Sequence, residues 1–207
     1  MAEVMTKEAS SILREGANGV QQVSLSAEML SKGILQLEGE VNSTMASEFA
    51  GKLLYMESNP NIRTINVLIN SYGGSVIDGF SIYDQMQRTT KPVNVVCSAA
   101  AYSMGAILLC GGPAGRRYIL PHAQVMIHEP LIPQTGGSCT TIVKTAESIK
   151  QTKQDLVDVL VKHTGKTTEE IAEAISYDHF LSAAESVEFG ICDQILTDSV
   201  ASLIDVL

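Results

Sequence analysis

The chain has 207 residues, 45% of them hydrophobic and 18% charged, which suits one domain with a substantial core. Aromatic residues make up only 5% and tryptophan is absent, so that core is expected to be aliphatic. A net charge of −9, with no basic run beyond Arg116-Arg117, argues against nucleic acid or an anionic membrane surface as a partner. No apolar run approaches the roughly 18 to 20 residues of a transmembrane helix.

Met1 to Gln22 mixes Glu3, Lys7, Glu8, Arg14 and Glu15 with small residues, which is not the pattern of a secretory signal. Weak periodicity over residues 1–25 predicts an N-terminal arm, mobile or a short helix, ahead of one domain over 26–198 and a tail over 199–207. Ile34 to Leu37 reads as a strand, and Asn42-Ser-Thr44 as the cap of a helix bearing Met45, Phe49, Leu53, Leu54 and Met56. Ile62 to Ile69 reads as the next strand. Gly73-Gly74 then opens a helix with Val76, Phe80, Tyr83 and Met86 inward.

Val93 to Cys97 is a third strand, and a further helix starts after Ser103. This alternation, repeating near every 30 residues, predicts βαβ units around a mostly parallel sheet, an α/β fold. Tyr118-Ile-Leu120 and Gln124 to Ile127 are two short strands with no helix between them. Pro133-Gln-Thr-Gly-Gly137 reads as a loop or edge segment. The spacing of Ile142, Ala146, Ile149, Leu156, Val159 and Leu160 predicts one long helix over 141–163, stopped by Gly165. Thr167…Glu170 and Ser182…Glu185 have the form of capping boxes.

Four cysteines, Cys97, Cys110, Cys139 and Cys192, lack CxxC or His-partnered spacing. Neither a metal site nor a disulfide framework is expected, and a reducing cytoplasm is the expected setting. Cys97 and Cys110 lie in apolar runs and read as small buried residues.

Ser103 stands between a buried strand and an apolar helix start, where backbone N–H groups and the helix dipole favour negative charge. A nucleophilic serine needs that environment to hold an oxyanion. The plainer job for a serine there is a helix N-cap. His128 follows a strand and is a candidate general base, or a core histidine bonded to backbone. Asp178 is a candidate to orient it, or simply a turn residue. Gly73-Gly74 leaves bare backbone at a strand end, for an N–H donor or for tight packing. His122, His163 and His179 read as surface residues. No G-x-S-x-G elbow is present. On these residues alone a serine hydrolase and a non-catalytic α/β domain stay equally open.

Several segments decide between them: Ile69-Asn-Ser-Tyr-Gly-Gly-Ser75, Ser81-Ile-Tyr-Asp84, Ser103-Met-Gly-Ala106, Gly115-Arg-Arg-Tyr118, Val125-Met-Ile-His-Glu-Pro130, Asp178-His-Phe-Leu-Ser-Ala183 and Val187 to Leu196. Over about Leu30 to Leu196 they resemble, in order, the proteolytic subunit of the Clp protease family. The resemblance implies a crotonase-like α/β spiral with a protruding handle helix. It also implies a serine endopeptidase with Ser103 as nucleophile, His128 as base and Asp178 as third member. The N–H groups of Gly74 and Met104 would form the oxyanion hole, and Gly136-Gly137 would belong to an edge strand that pairs with extended substrate. Implied partners are copies of itself in heptameric rings stacked as a tetradecamer, a hexameric AAA+ unfoldase ATPase, and unfolded protein substrates. No cofactor is implied. Tyr72 and Tyr102 stand where the family usually has proline and alanine. A weakly active or inactive ring subunit, and a crotonase-type acyl-CoA enzyme, are the alternatives.

Overall fold

The computed structural model describes residues 10–16, 19–132 and 136–203; the outer ends of the predicted arm and tail, with residues 17–18 and 133–135, lie outside these. The chain is mixed α/β. Strands β3 (Ile34–Val41), β4 (Ile65–Gly74), β5 (Val93–Tyr102), β6 (Arg117–Ile119) and β9 (Gln194–Ile195) run parallel in that order. β7 (Gln124–Ile127) also pairs with β5 in parallel, and β8 (His179–Leu181) pairs with β7 antiparallel. Helices α2 (Ser43–Ser58), α3 (Val76–Arg88) and α4 (Met104–Cys110) make the crossovers that the alternation predicts.

Local chemistry accounts for the helix starts. The side chains of Asn42 and Ser75 accept hydrogen bonds from the N–H groups of Met45 and Asp78, relieving orphan donors in the first turns of α2 and α3. Both capping boxes form, opening α6 (Thr168–Ala174) and α7 (Ala183–Phe189). The long helix is α5 (Cys139–Thr164), and Gly165 ends it at φ 74°, a left-handed conformation that glycine adopts without strain.

The core is aliphatic as composition requires. Val67, Ile69 and Val95 of the sheet pack with Phe49, Leu53 and Met56 of α2 and Ile82 of α3. Every residue of α4 is buried. Cys97, Cys110 and Cys192 are buried and Cys139 is exposed. On α5 the fully buried residues are confined to Leu156, Val157, Val159 and Leu160. Its first half is open to solvent, so the apolar stripe continues through exposed Ile142 and Val143, which none of the described residues covers.

Two departures from the sequence reading bear on packing. Strands β1 (Ser11–Gly16) and β2 (Gly19–Ser24) form an antiparallel hairpin, followed by α1 (Leu25–Ser31), where weak periodicity gave only an arm. His163 and His179 are half-buried rather than surface residues. His163 Nε2 lies 2.8 Å from the Tyr83 hydroxyl, which itself accepts from Lys162 Nζ at 3.2 Å. Burial, with help from the Lys162 and Arg117 charges, lowers the His163 pKa to about 4, so this imidazole is neutral and shares a neutral hydrogen bond with the tyrosine hydroxyl.

A buried ion pair closes the far end of the sheet. Arg117 Nη2 donates to Asp193 Oδ1 at 2.5 Å and Nε to Oδ2 at 3.0 Å, while Nη1 reaches the carbonyls of His163 and Gly190, each at 2.9 Å. Burial opposes the Asp193 charge, but the bonds from the Arg117 side chain and backbone outweigh it and hold that carboxyl below its ordinary pKa.

Candidate active site

Two irregularities in the sheet shape the site. Between Glu38 and Glu40 the pairing of β3 with β4 slips, because the partners of these residues are Asn70 and Gly73. Between Ile69 and Ser71 the pairing of β4 with β5 slips further, from Cys97 to Ala101. At that second bulge β5 exchanges one neighbour for another: residues 95–97 pair with β6 and 100–102 with β7. Bulges of this kind re-aim strand ends, and here they bring the end of β4, the end of β5 and β7 to one place.

Ser103 follows β5 directly and holds φ 52°, ψ −120°, the one non-glycine positive φ among the described residues. A side chain in that region is strained by about 1–3 kcal/mol, so surrounding structure must enforce it. Its own N–H donates to Met126 O at 2.8 Å. Although Ser103 occupies the N-cap position of α4, its side chain makes no capping hydrogen bond. The plain capping role is therefore not what the hydroxyl does. It sits instead 2.8 Å from His128 Nε2, and His128 Nδ1 lies 3.2 Å from Asp178 Oδ1.

With Nδ1–H donating to the carboxylate, Nε2 is left as the acceptor for the serine proton. The His128 side chain is 11% exposed and that of Asp178 66%, so water screens the carboxylate and its main effect is to fix the ring's tautomer and direction. Glu129, next to His128, is tied down from both sides. Its N–H donates to Ile175 O at 2.8 Å, and its carboxylate accepts from Lys153 Nζ of α5 at 2.5 Å. The sequence reading missed this brace, since nothing local marks a lysine 24 residues away as its partner.

Gly73 and Gly74 have φ of 94° and 150°. A Cβ on Gly73 would stand 2.7 Å from Ser103 Cβ and 3.1 Å from the Met104 N, so the bare backbone of β4 lies directly against the serine and the first turn of α4. A Cβ on Gly74 would meet Val41 O at 2.2 Å. Gly74, Ser103, Met104 and His128 line one cavity of about 270 Å³, walled by Val76, Ile107, Leu156, Leu160 and Ile175 with Leu131 and Tyr72 at its edge. Gly136 and Gly137 are exposed, precede α5 without forming a strand, and are not among the residues lining that cavity.

Other chemistries find less support. Burial pushes the thiols of Cys97 and Cys110 up to about 12 and raises that of Cys192 as well, so these three are poor nucleophiles. Among the described residues no group of three or more His, Cys, Asp or Glu side chains is placed to hold a metal ion. No described helix is long and apolar enough to cross a membrane.

Fold and site together thus define an α/β protein with a serine, a histidine and an aspartate in hydrogen-bonded series, Ser103 and His128 following the parallel strands β5 and β7 and Asp178 preceding antiparallel β8. A family model described as Clp protease matches residues 16–199, and the chain belongs to that family. The mixed α/β fold with a parallel sheet and one long helix agrees with that membership, which in general implies oligomeric chambers and AAA+ partners.

Proposed function

We propose that this chain is the serine endopeptidase subunit of an ATP-dependent protease, cleaving unfolded polypeptides and short peptides. The observation that carries the reading is the 2.8 Å contact of Ser103 Oγ with His128 Nε2, backed by Asp178. Ser103 Oγ attacks the scissile carbonyl carbon as its proton passes to Nε2. The carbonyl oxygen becomes an oxyanion facing the N–H of Met104, the first of α4, and that of Gly74. His128 then gives its proton to the leaving amine, an ester to Ser103 remains, and water, deprotonated by the same ring, releases the acid.

The apolar cavity beside Ser103 suits a non-polar side chain of an extended peptide, with Gly136-Gly137 as a main-chain pairing segment. Exposed Ile142 and Val143 on the projecting part of α5 suit contact between copies, in stacked heptameric rings closed into a tetradecamer. Such a chamber, fed by a hexameric AAA+ unfoldase, would keep a sequence-tolerant site away from folded proteins. The peptidase domain spans residues 26–198, and four free thiols suit the cytoplasm. Ser103→Ala should abolish hydrolysis of fluorogenic peptides while circular dichroism and particle size stay as in the wild type. Activity retained in that variant overturns the reading.

A further inference from the structure

We propose that Tyr72, Tyr102 and Phe180 form an aromatic ledge that selects a large apolar or aromatic substrate residue on the leaving-group side of the scissile bond. This deepens the peptidase reading and rests on it. Tyr102 immediately precedes Ser103, and its ring stands edge-on to two others: Tyr72 at 5.3 Å between centroids and Phe180 at 5.6 Å. The hydroxyl of Tyr102 donates to Gln124 Oε1 at 2.9 Å, which fixes the middle ring. The outer two are open, Tyr72 being 73% and Phe180 52% exposed.

Strand register says which face they occupy. Tyr102 pairs with Met126, and Met126 with Phe180. Alternation therefore puts Tyr102, Met126 and Phe180 on the face opposite buried Ala101, Val125, Ile127 and Leu181, and Tyr72 joins them through its ring contact with Tyr102. His128, two residues past Met126, shares the parity of that face.

In acyl transfer the histidine hands its proton to the departing amine, so the chain beyond the scissile bond must pass beside His128. The surface it meets there is the ledge. Tyr72 also lines the Ser103 cavity, so the two surfaces are continuous. Both outer rings are more than half exposed and so open to a ligand.

The test uses two internally quenched peptides that differ only in the residue after the scissile bond, phenylalanine or alanine, with products mapped by mass spectrometry. Wild type should favour phenylalanine about three- to tenfold in kcat/KM, the range one ring-on-ring contact carries. Tyr72→Ala should cut that preference below about twofold, and Tyr72→Phe, which keeps the ring, should retain it. No preference in the wild type, a preference surviving in Tyr72→Ala, or selection on the acyl side overturns the ledge. So does a change of particle size in Tyr72→Ala, which would make the ledge a contact between copies. Fluorophosphonate labelling of Ser103 on the same samples separates the two readings. Labelled but unselective enzyme removes the ledge alone, whereas wild type that neither labels nor cleaves removes the peptidase reading, and the ledge with it.

Discussion

Replacing Gly73 by alanine should disable the site through a single methyl group. The residue has φ 94°, and an L side chain in left-handed space costs about 1–2 kcal/mol. The added Cβ would lie 2.7 Å from Ser103 Cβ, 2.9 Å from Tyr102 O and 3.1 Å from Met104 N, all closer than ordinary van der Waals contact. Overpacking of this kind adds about 1–3 kcal/mol, so a total loss of about 2–5 kcal/mol in stability is expected. To regain contact distance Ser103 must retreat by roughly 0.7 Å, which stretches a 2.8 Å bond to His128 beyond hydrogen-bonding range. Misplacement by about 1 Å costs on the order of a hundredfold in rate, and a fall of about ten- to a hundredfold in kcat/KM is the expected result.

The assay is peptide hydrolysis at 25 °C in parallel with urea unfolding, on enzyme shown to be folded at the assay concentration. Gly51→Ala is the control: that exposed helical position has open space around its Cβ, and stability should rise by up to about 1 kcal/mol with unchanged turnover. Gly73→Ala with activity within about threefold of the wild type would refute the close packing of β4 against Ser103.

Arg117→Met should cost about 2–4 kcal/mol in urea unfolding, because it leaves a largely buried Asp193 without its cation and strips a donor from the carbonyls of His163 and Gly190. A loss below about 1 kcal/mol would mean the pair is not the clamp its geometry describes. His163, with a folded pKa of about 4, resists protonation that the unfolded chain accepts below about 6.5, so it favours folding at neutral pH and that contribution fades as pH falls from 6.5 towards 4. The full shift corresponds to about 3 kcal/mol, reduced by solvent screening of a half-exposed ring to about 1–2 kcal/mol; urea titrations of wild type and His163→Gln at pH 7 and 4.5 should converge by that amount, and parallel curves would contradict it.

Much of the fold is written in short-range patterns. Polar residues at Asn42, Thr167 and Ser182 marked three helix starts, Gly73-Gly74 with the apolar spacing after it marked a fourth whose cap is Ser75, and Gly165 marked an end. What those patterns lack is distance. β1 and β2 show no alternation because almost nothing on them is buried, so a hairpin there leaves no hydrophobic signature. Strand β5 runs on to Tyr102 through Ser98-Ala-Ala-Ala101, small residues whose strand conformation is imposed by neighbours on both sides.

The approach of Ser103 to His128 depends on β5 exchanging β6 for β7 at a bulge, and that of Asp178 on an antiparallel pairing 50 residues away in sequence. Neither event has a local signal; the residues alone offered the three as candidates, and it was the residue-by-residue resemblance to a family that favoured catalysis over a non-catalytic domain. The half-burial of His163 likewise requires Tyr83, 80 residues earlier on α3. By contrast the rings at Tyr72 and Tyr102 stood out in the sequence as departures, and their edge-on contact is a fact only of the folded chain.

The central claim is that the Ser103 hydroxyl is activated by His128, and covalent labelling tests it most directly. Intact-mass and peptide mapping after exposure to a fluorophosphonate should find one adduct per chain, on Ser103, and none on any other serine. Labelling should slow on the order of a hundredfold or more in His128→Ala, which removes the proposed base. An unlabelled wild-type chain, an adduct elsewhere, or a His128→Ala variant labelled as fast as wild type would contradict the claim.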